Sequence, residues 1–322
     1  MFPVSSEILR CPCCRGWLDS EADRYICSDC DSKFEFKDGI LDLLHPQLDS
    51  ITYSEIQHYT EKSEHYVWMY ETWKDSPFYR HYHTRLLEEF NSLKKGALIL
   101  EIGCGLGKDG FHLLKSGYQL IETDVAFGEL KEAKKFHESN GFGDSCAHIL
   151  CDAMHLPFKS GIFDGVLMIA TLHHLPFPRE ALKEVRRVLK KGGIFGLGTE
   201  PNNWQPKTIF PVGKLGLKLI LRLMGRKMSS GEKVSEADKQ TKGFSRRDLE
   251  NLFRGAGFDS WELKPAGFFS AATHFVSQII HEHLGKVVRP FRLEKLAVQV
   301  DVFLERLGLL KRFPWHWNAV AR

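Results

Sequence analysis

The chain has 322 residues, with 44 Lys and Arg against 41 Asp and Glu and a formal charge of +3, a balance that excludes a dedicated polyanion binder with basic residues over its whole surface. At 43% hydrophobic and 26% charged residues it reads as a globular protein of one large or two modest domains. The start "MFPVSSEILR" lacks the pattern of a signal peptide, and no uncharged apolar run approaches the ~20 residues of a membrane span, so the expected location is cytoplasmic.

Five of the eight cysteines fall within the first 30 residues. Cys11 and Cys14 form one CxxC, Cys27 and Cys30 another, with twelve residues between them, enough for a hairpin that brings the two turns together. In a reducing compartment this pattern points to a four-sulfur structural zinc site rather than to disulfides. Such a site has no open position for water and therefore no catalytic role. Cys13 is the ambiguous member, since it stands where it can replace a neighbour in the first pair. "ILRCPCCRGWL" with "YICSDCDSKFEFKDGILDLL" resembles the zinc-ribbon module of the Trm112-like family over residues 6–45, including the closing strand "DGILDLL". The first unit is accordingly 1–47.

Residues 48–95 form a connector dense in aromatics, among them Tyr53, Tyr59, Tyr66, Trp68, Trp73, Phe78 and Tyr82. No alternation persists there, which predicts helices and loops. Core packing and a pocket lid are the favoured roles over base stacking, because Lys and Arg are sparse between the rings.

From 96 to 200 strand and helix patterns alternate. Strands are expected at Ala97 to Ile102, at "YQLIETD", "AHILCD", "FDGVLMIA" and "GIFGLGTE", and helices from Asp109 to Lys115, at "FGELKEAKKFHES" and at "REALKEVRRVLK". This implies a parallel sheet with helices on both faces and a ligand at the carboxyl ends of the strands. In the last helix Ala181, Leu182, Val185, Val188 and Leu189 share one face, and Gly192-Gly193 is expected to end it.

"EIGCGLGKDG" holds two overlapping patterns, GxGxG at Gly103, Gly105 and Gly107, and GxGxxG at Gly105, Gly107 and Gly110. A dinucleotide's pyrophosphate would be repelled by a carboxylate on the last turn of the strand, where Glu101 stands; S-adenosylmethionine, with no phosphate and a cationic amine, would be favoured by it. Together with "CDAMHLPF", "LMIATLHHL" and "LKKGGIFGLGTEPN", the loop resembles the class I S-adenosylmethionine-dependent methyltransferases of the type 11 group over about residues 96–200. The resemblance implies that Glu101, Gly103, Cys104, Gly105 and Gly107 contact the methionine and ribose end. It places Asp124 on the ribose hydroxyls, Asp152 and Ala153 at the adenine, and Ile169 and Ala170 near the sulfonium. As plain structure, the glycines would only make a turn and the two aspartates would be caps. Glu122 departs from the pattern, standing where a small residue is common. His173 and His174 follow the fourth strand, where they can serve as a base or orient the acceptor. Cys104 reads as a packing residue.

Beyond residue 200, Lys214, Lys218, Arg222 and Arg226 recur every four residues in a leucine-rich segment, and residues 201–231 contain no acid. Residues 207–227 thus offer a lid, a contact with an anionic membrane surface, or an RNA contact, in that order. The unit 201–322 reads as a helical cap plus the last strands, "FSRRDLENLFRGAGF" resembling the late helix and turn of the type 11 group.

The expected architecture is α/β: a Rossmann-like class I methyltransferase sheet behind a small zinc ribbon and below a helical cap. Three functions follow: methyl transfer to a small-molecule, lipid-linked or glycan-type acceptor; methylation of an RNA base, since a ribbon ahead of this domain also resembles ribosomal RNA guanine methyltransferases; or a non-catalytic ribbon partner that stabilises other methyltransferases. Nucleic acid is the weaker partner, because the RNA group's ribbon ends in Cys and His rather than CSDC.

Overall fold

The computed structural model describes residues 5–21, 23–73, 75–205, 218, 222, 236–240, 243–284, 288–311 and 313–322. The segment 207–227 lies outside them apart from Lys218 and Arg222. Among the described residues no helix is long and apolar enough to cross a membrane.

The ribbon supplies β1 (Leu18–Glu21), β2 (Arg24–Cys27), β3 (Lys33–Lys37) and β4 (Ile40–Asp42). Two helices follow, α1 (Ser50–Trp73) and α2 (Pro77–Leu87). The start of α2 is set by Ser76, whose hydroxyl accepts from Tyr79 N–H, and by Pro77 at the first helical position. The alternating region runs β5 (Leu98–Ile102), α3 (Lys108–Lys115), β6 (Gln119–Asp124), α4 (Phe127–Ser139), β7 (Cys146–Leu150), β8 (Phe163–Ile169), α5 (Pro178–Val188) and β9 (Leu189–Pro201). The C-terminal part supplies α6 (Glu236–Gln240), α7 (Arg246–Ala256), β10 (Trp261–Ala266), α8 (Phe269–Leu284), α9 (Phe291–Arg306) and β11 (His316–Ala321).

All eleven strands join one sheet in the order β1-β2-β3-β4-β7-β6-β5-β8-β9-β11-β10. From β4 to β9 every neighbouring pair is parallel, while β1 to β4 and β9-β11-β10 are antiparallel. Chain order runs one way from β5 through β6 to β7 and then jumps to β8 on the other side, which opens a crevice at the carboxyl ends of β5 and β8.

The ribbon is not a separate bead. Its β4 lies parallel to β7, Leu41 opposite Ile149, and Leu9, Cys27 and Leu43 share one continuous core with Leu100, Ile149 and Val185. Along the parallel strands side chains alternate between this face and the opposite one, where Ile99, Leu120, Leu167 and Ile194 meet Leu86, Leu113 and Leu114 of α2 and α3.

One expectation is corrected. Helix α5 ends at Val188, before the Gly192-Gly193 pair, and Leu189 is extended at φ −73°, ψ 135°. Leu189 is drawn into β9 because it pairs with Phe163 and is buried there, so the glycines belong to the strand.

Phe90, fully buried, fills a notch left by two glycines: a methyl on Gly165 would lie 2.8 Å, and one on Gly196 2.9 Å, from its ring. Phe90→Ala is expected to lower stability by about 3–5 kcal/mol, and Gly196→Ala by about 1–3 kcal/mol, in urea titrations with an unchanged slope.

Candidate functional site

The crevice holds a cavity lined by Thr52, Glu55 and Tyr59 of α1, by Gly103 and Gly105 after β5, by Asp124 and Glu129, by Asp152 and Ala153, and by Ala170, Thr171 and His174 after β8. The loop after β5 needs glycine at Gly103 for two reasons. Its φ is +66°, and an added Cβ would fall 2.4 Å from the Thr171 side chain. That close approach brings the loop after β8 against the glycine loop.

Asp124, at the carboxyl end of β6, accepts from Gly105 N–H at 3.0 Å and Ala126 N–H at 2.9 Å, one on each oxygen. Burial raises its carboxyl above the ordinary range, and the backbone donors offset part of that rise. Burial, and then the charge of Asp124, holds Glu129 well above its ordinary value. Asp152 does what a cap residue does, its Oδ1 accepting from Met154 N–H at 3.0 Å, and its other oxygen lies 2.9 Å from His155 Nδ1. It also lines the cavity, so the two readings of this residue coexist.

Opposite stand two carboxylate–histidine pairs. Glu200, fully buried, accepts from Thr171 N–H (3.0 Å) and Leu172 N–H (2.9 Å) on one oxygen and from His173 N–H (3.1 Å) on the other, which also lies 2.9 Å from His173 Nδ1. Glu55 lies 3.1 Å from His174 Nδ1 and accepts from Ala237 N–H. Ala170, immediately before the three clamped amides, lies in the left-handed region at φ +49°, a conformation that costs an L-residue about 1–2 kcal/mol, and it sits on the cavity wall.

Of the residues named from the sequence, Gly103, Gly105, Asp124, Asp152, Ala153, Ala170 and His174 converge on the cavity. Glu101, Cys104, Gly107, Ile169 and His173 are not on its wall. Glu101 alternates to the face beneath α3, where burial and then the neighbouring charge of Glu122 push its carboxyl well above the ordinary range. It is the last-turn neighbour Ile102 that lines the cavity. Cys104 packs with Ile40, Leu130 and Leu150, and Ile169 against the cluster of Leu86 and Phe90. Glu55, Glu129, Thr171 and Glu200 were not singled out for the site, whereas Tyr59 belongs to the aromatic connector for which a pocket lid was one expected role. Glu200 alone carried a usable signal, an acid closing the strand "GIFGLGTE".

In the ribbon, the sulfurs of Cys11, Cys14, Cys27 and Cys30 all lie within 4.8 Å of one another, with Cys11 to Cys30 at 3.7 Å and Cys14 to Cys27 at 3.4 Å. Tetrahedral zinc with bonds of about 2.3 Å separates its sulfurs by roughly 3.75 Å, so the donor set fits. Cys13 stands outside the group, within 3.8 Å of the Ser32 hydroxyl. Burial pushes the Cys11 thiol up, whereas the Ser32 hydroxyl and N–H hold Cys30 down at about 6.

Residues 100–197 match the family model described as a methyltransferase domain. An uncharacterized chloroplastic methyltransferase of Arabidopsis thaliana is 30% identical over 56% of this chain and 55% of its own. A demethylmenaquinone methyltransferase of Lactiplantibacillus plantarum is 29% identical over 61% and 84% respectively, and the sterol 24-C-methyltransferase ERG6B of Gibberella zeae 32% over 36% and 30%. The chain thus spans about half or less of the length of two of these three. The solved structure of Haemonchus contortus phosphoethanolamine N-methyltransferase 2 in complex with S-adenosyl-L-methionine superposes with a TM-score of 0.53 at 15% identity, over 90% of this chain and 61% of that one. The chain carries a class I methyltransferase domain with the Rossmann-like fold.

Glu200→Gln should cost about 1–3 kcal/mol in denaturant titration, because the new amide N–H₂ faces backbone N–H donors where the carboxylate accepted them.

Proposed function

We propose that this chain transfers a methyl group from S-adenosylmethionine to a small-molecule, lipid-linked or glycan-type acceptor. The supporting observation is the charge of the cavity: its described lining residues include four carboxylates, Glu55, Asp124, Glu129 and Asp152, and no Lys or Arg. A pyrophosphate would meet only repulsion there, whereas a ligand carrying a sulfonium and an ammonium is complementary. Asp124 would hold the ribose hydroxyls, Asp152 and Ala153 the adenine, and the backbone at Gly103 and Gly105 the methionyl portion.

S-adenosylmethionine supplies an electrophilic methyl group. The chain's part is to orient the acceptor, exclude water with α1, and receive a proton where the acceptor atom is a hydroxyl or neutral nitrogen. His174 suits that last role: Glu55 faces its Nδ1, which favours the proton there and leaves Nε2 as acceptor. The sterol and demethylmenaquinone specificities in two relatives' names point to apolar acceptors. RNA is disfavoured by the lack of Lys and Arg among the described residues that line the cavity, and a purely non-catalytic partner by the assembly of cavity and histidine pairs. The ribbon sulfurs would hold one structural zinc.

Calorimetric titration with S-adenosylmethionine should show binding that Asp124→Ala weakens at least 10-fold, a charged hydrogen-bonding partner being worth about 1.5–3 kcal/mol. A chain that binds NAD instead would overturn the reading. Methyl-labelled S-adenosylmethionine incubated with fractionated extract should place label in the organic or small-molecule fraction; label in RNA supports the second reading, and none the third.

The raised carboxyls also set a pH dependence. A cation at the site favours the ionised forms of Asp124 and Glu129, so affinity should strengthen as pH rises, and Glu129→Gln should flatten that profile. In the ligand-free chain the same substitution should stabilise, by an amount that grows as pH rises above the ~4.3 of an unfolded glutamate, because only there does the wild-type residue resist ionisation. Thermal melts across a pH series would check the sign.

A further inference from the structure

We propose that Glu122, His137, Cys146 and His148 form a second metal site, one that takes a single zinc-type divalent ion beneath the glycine loop. The register of the sheet builds it. Glu122 on β6 lies directly opposite His148 on β7, and Cys146, two residues before His148, points to the same face. Helix α4 crosses that face and delivers His137. All four residues are buried, with exposures of 0% for Glu122 and His137, 3% for Cys146 and 6% for His148.

Their donor atoms lie within 4.8 Å of one another. Glu122 Oε1 is 2.7 Å from His137 Nε2, Oε2 is 3.2 Å from His148 Nε2, and Cys146 Sγ is 3.7 Å from the same nitrogen. A tetrahedral zinc with bonds of about 2.0–2.3 Å holds its ligand atoms roughly 3.3–3.8 Å apart, which the 3.2 and 3.7 Å separations match, whereas the 2.7 Å Glu122–His137 contact is a hydrogen bond that metal binding would open by about 0.6 Å. Two buried atoms of the cluster, Glu122 Oε2 and His137 Nδ1, meet no well-directed hydrogen bond among the described residues, His148 Nε2 at 3.2 Å from Oε2 being poorly aligned for one. For Oε2 that is a cost which coordination would remove.

Charge favours the same answer. A divalent ion with one carboxylate, one thiolate and two neutral imidazoles is neutral overall, the condition under which a charged group is buried at least cost. Imidazole, thiolate and carboxylate together are a zinc-type donor set, and four protein ligands leave no place for a reacting water. The ion's role would be structural. It would tie α4 to β6 and β7 and set the floor of the glycine loop, since a Cβ on Gly107 would lie 2.6 Å from His137 Nε2.

The test is metal content by plasma mass spectrometry on the full chain, expressed with added zinc and purified without chelator. Two zinc ions per chain are expected, falling to one in Cys14→Ser/Cys30→Ser and to one in Cys146→Ala/His148→Ala. In a ribbon variant with Cys11, Cys13, Cys14, Cys27 and Cys30 all replaced by Ser and reconstituted with cobalt(II), a thiolate-to-cobalt charge-transfer band should remain, carried by Cys146, and vanish with Cys146→Ser. No zinc in the wild-type chain, or a zinc content that Cys146→Ala/His148→Ala leaves unchanged, would overturn the proposal. Should the ribbon variant not fold, the Cys146/His148 variant read against wild type decides. The site does not depend on the methyl-transfer reading: two zinc ions in a chain that fails to bind S-adenosylmethionine would sink that reading alone.

Discussion

Glu200 stands at the end of β9 with no exposure to solvent, and a carboxylate so placed is tolerated only if every lone pair it offers is met by a donor. The donors it finds are the N–H groups of Thr171, Leu172 and His173, all from the loop after the neighbouring strand β8. The solvation demand of one side chain therefore dictates the path of a loop. Because Thr171 in turn packs where Gly103 has no side chain, the same demand presses that loop against the glycine loop after β5. The wall that the β8 loop contributes to the cavity and the placement of His173 follow from this clamp.

A second constraint comes from the sheet being covered on both faces. With water excluded from each side, alternate residues of the central strands must be apolar or find polar partners internally. On one face the strands meet this with Leu, Ile, Val and Phe, and there the ribbon joins α5 and α7 in covering them. On the other, Glu101, Glu122 and His148 occupy strand positions that could have been apolar, so that face carries a polar layer roofed by α3 and α4. The ribbon extends the β7 edge through β4, which leaves no unpaired edge beside the nucleotide-type core on that side.

Local patterns were legible to the degree that they were periodic. The helix at Phe127–Ser139 and strands β5, β6 and β8 can be read within a residue or two from apolar spacing and their flanking turns. So can the hairpin between the two CxxC turns. The end of α5 was not, since Leu189 fits the helical stripe as well as the strand, and only pairing with Phe163 decides between them. The roles of Glu55 and Glu200 were not legible for a different reason, even though Glu200 stands visibly at the end of its strand. Each acquires its role through a partner 119 or 27 positions away, and no local pattern encodes such a meeting.

The most instructive case is the charge argument for the cofactor, which started from Glu101. In β5, Glu101 must point opposite to Leu100 and Ile102, and since Ile102 faces the cavity, Glu101 cannot. Taken alone, that removes the observation from which a cationic ligand was inferred. Yet the strand ends, loops and α1 bring Glu55, Asp124, Glu129 and Asp152 to the same cavity, with no Lys or Arg among the described lining residues. Repulsion of a pyrophosphate is then a property of the whole wall rather than of one residue. Glu101 is left as part of the buried layer under α3, beside Glu122, and its acid is better understood with that cluster than with the cavity.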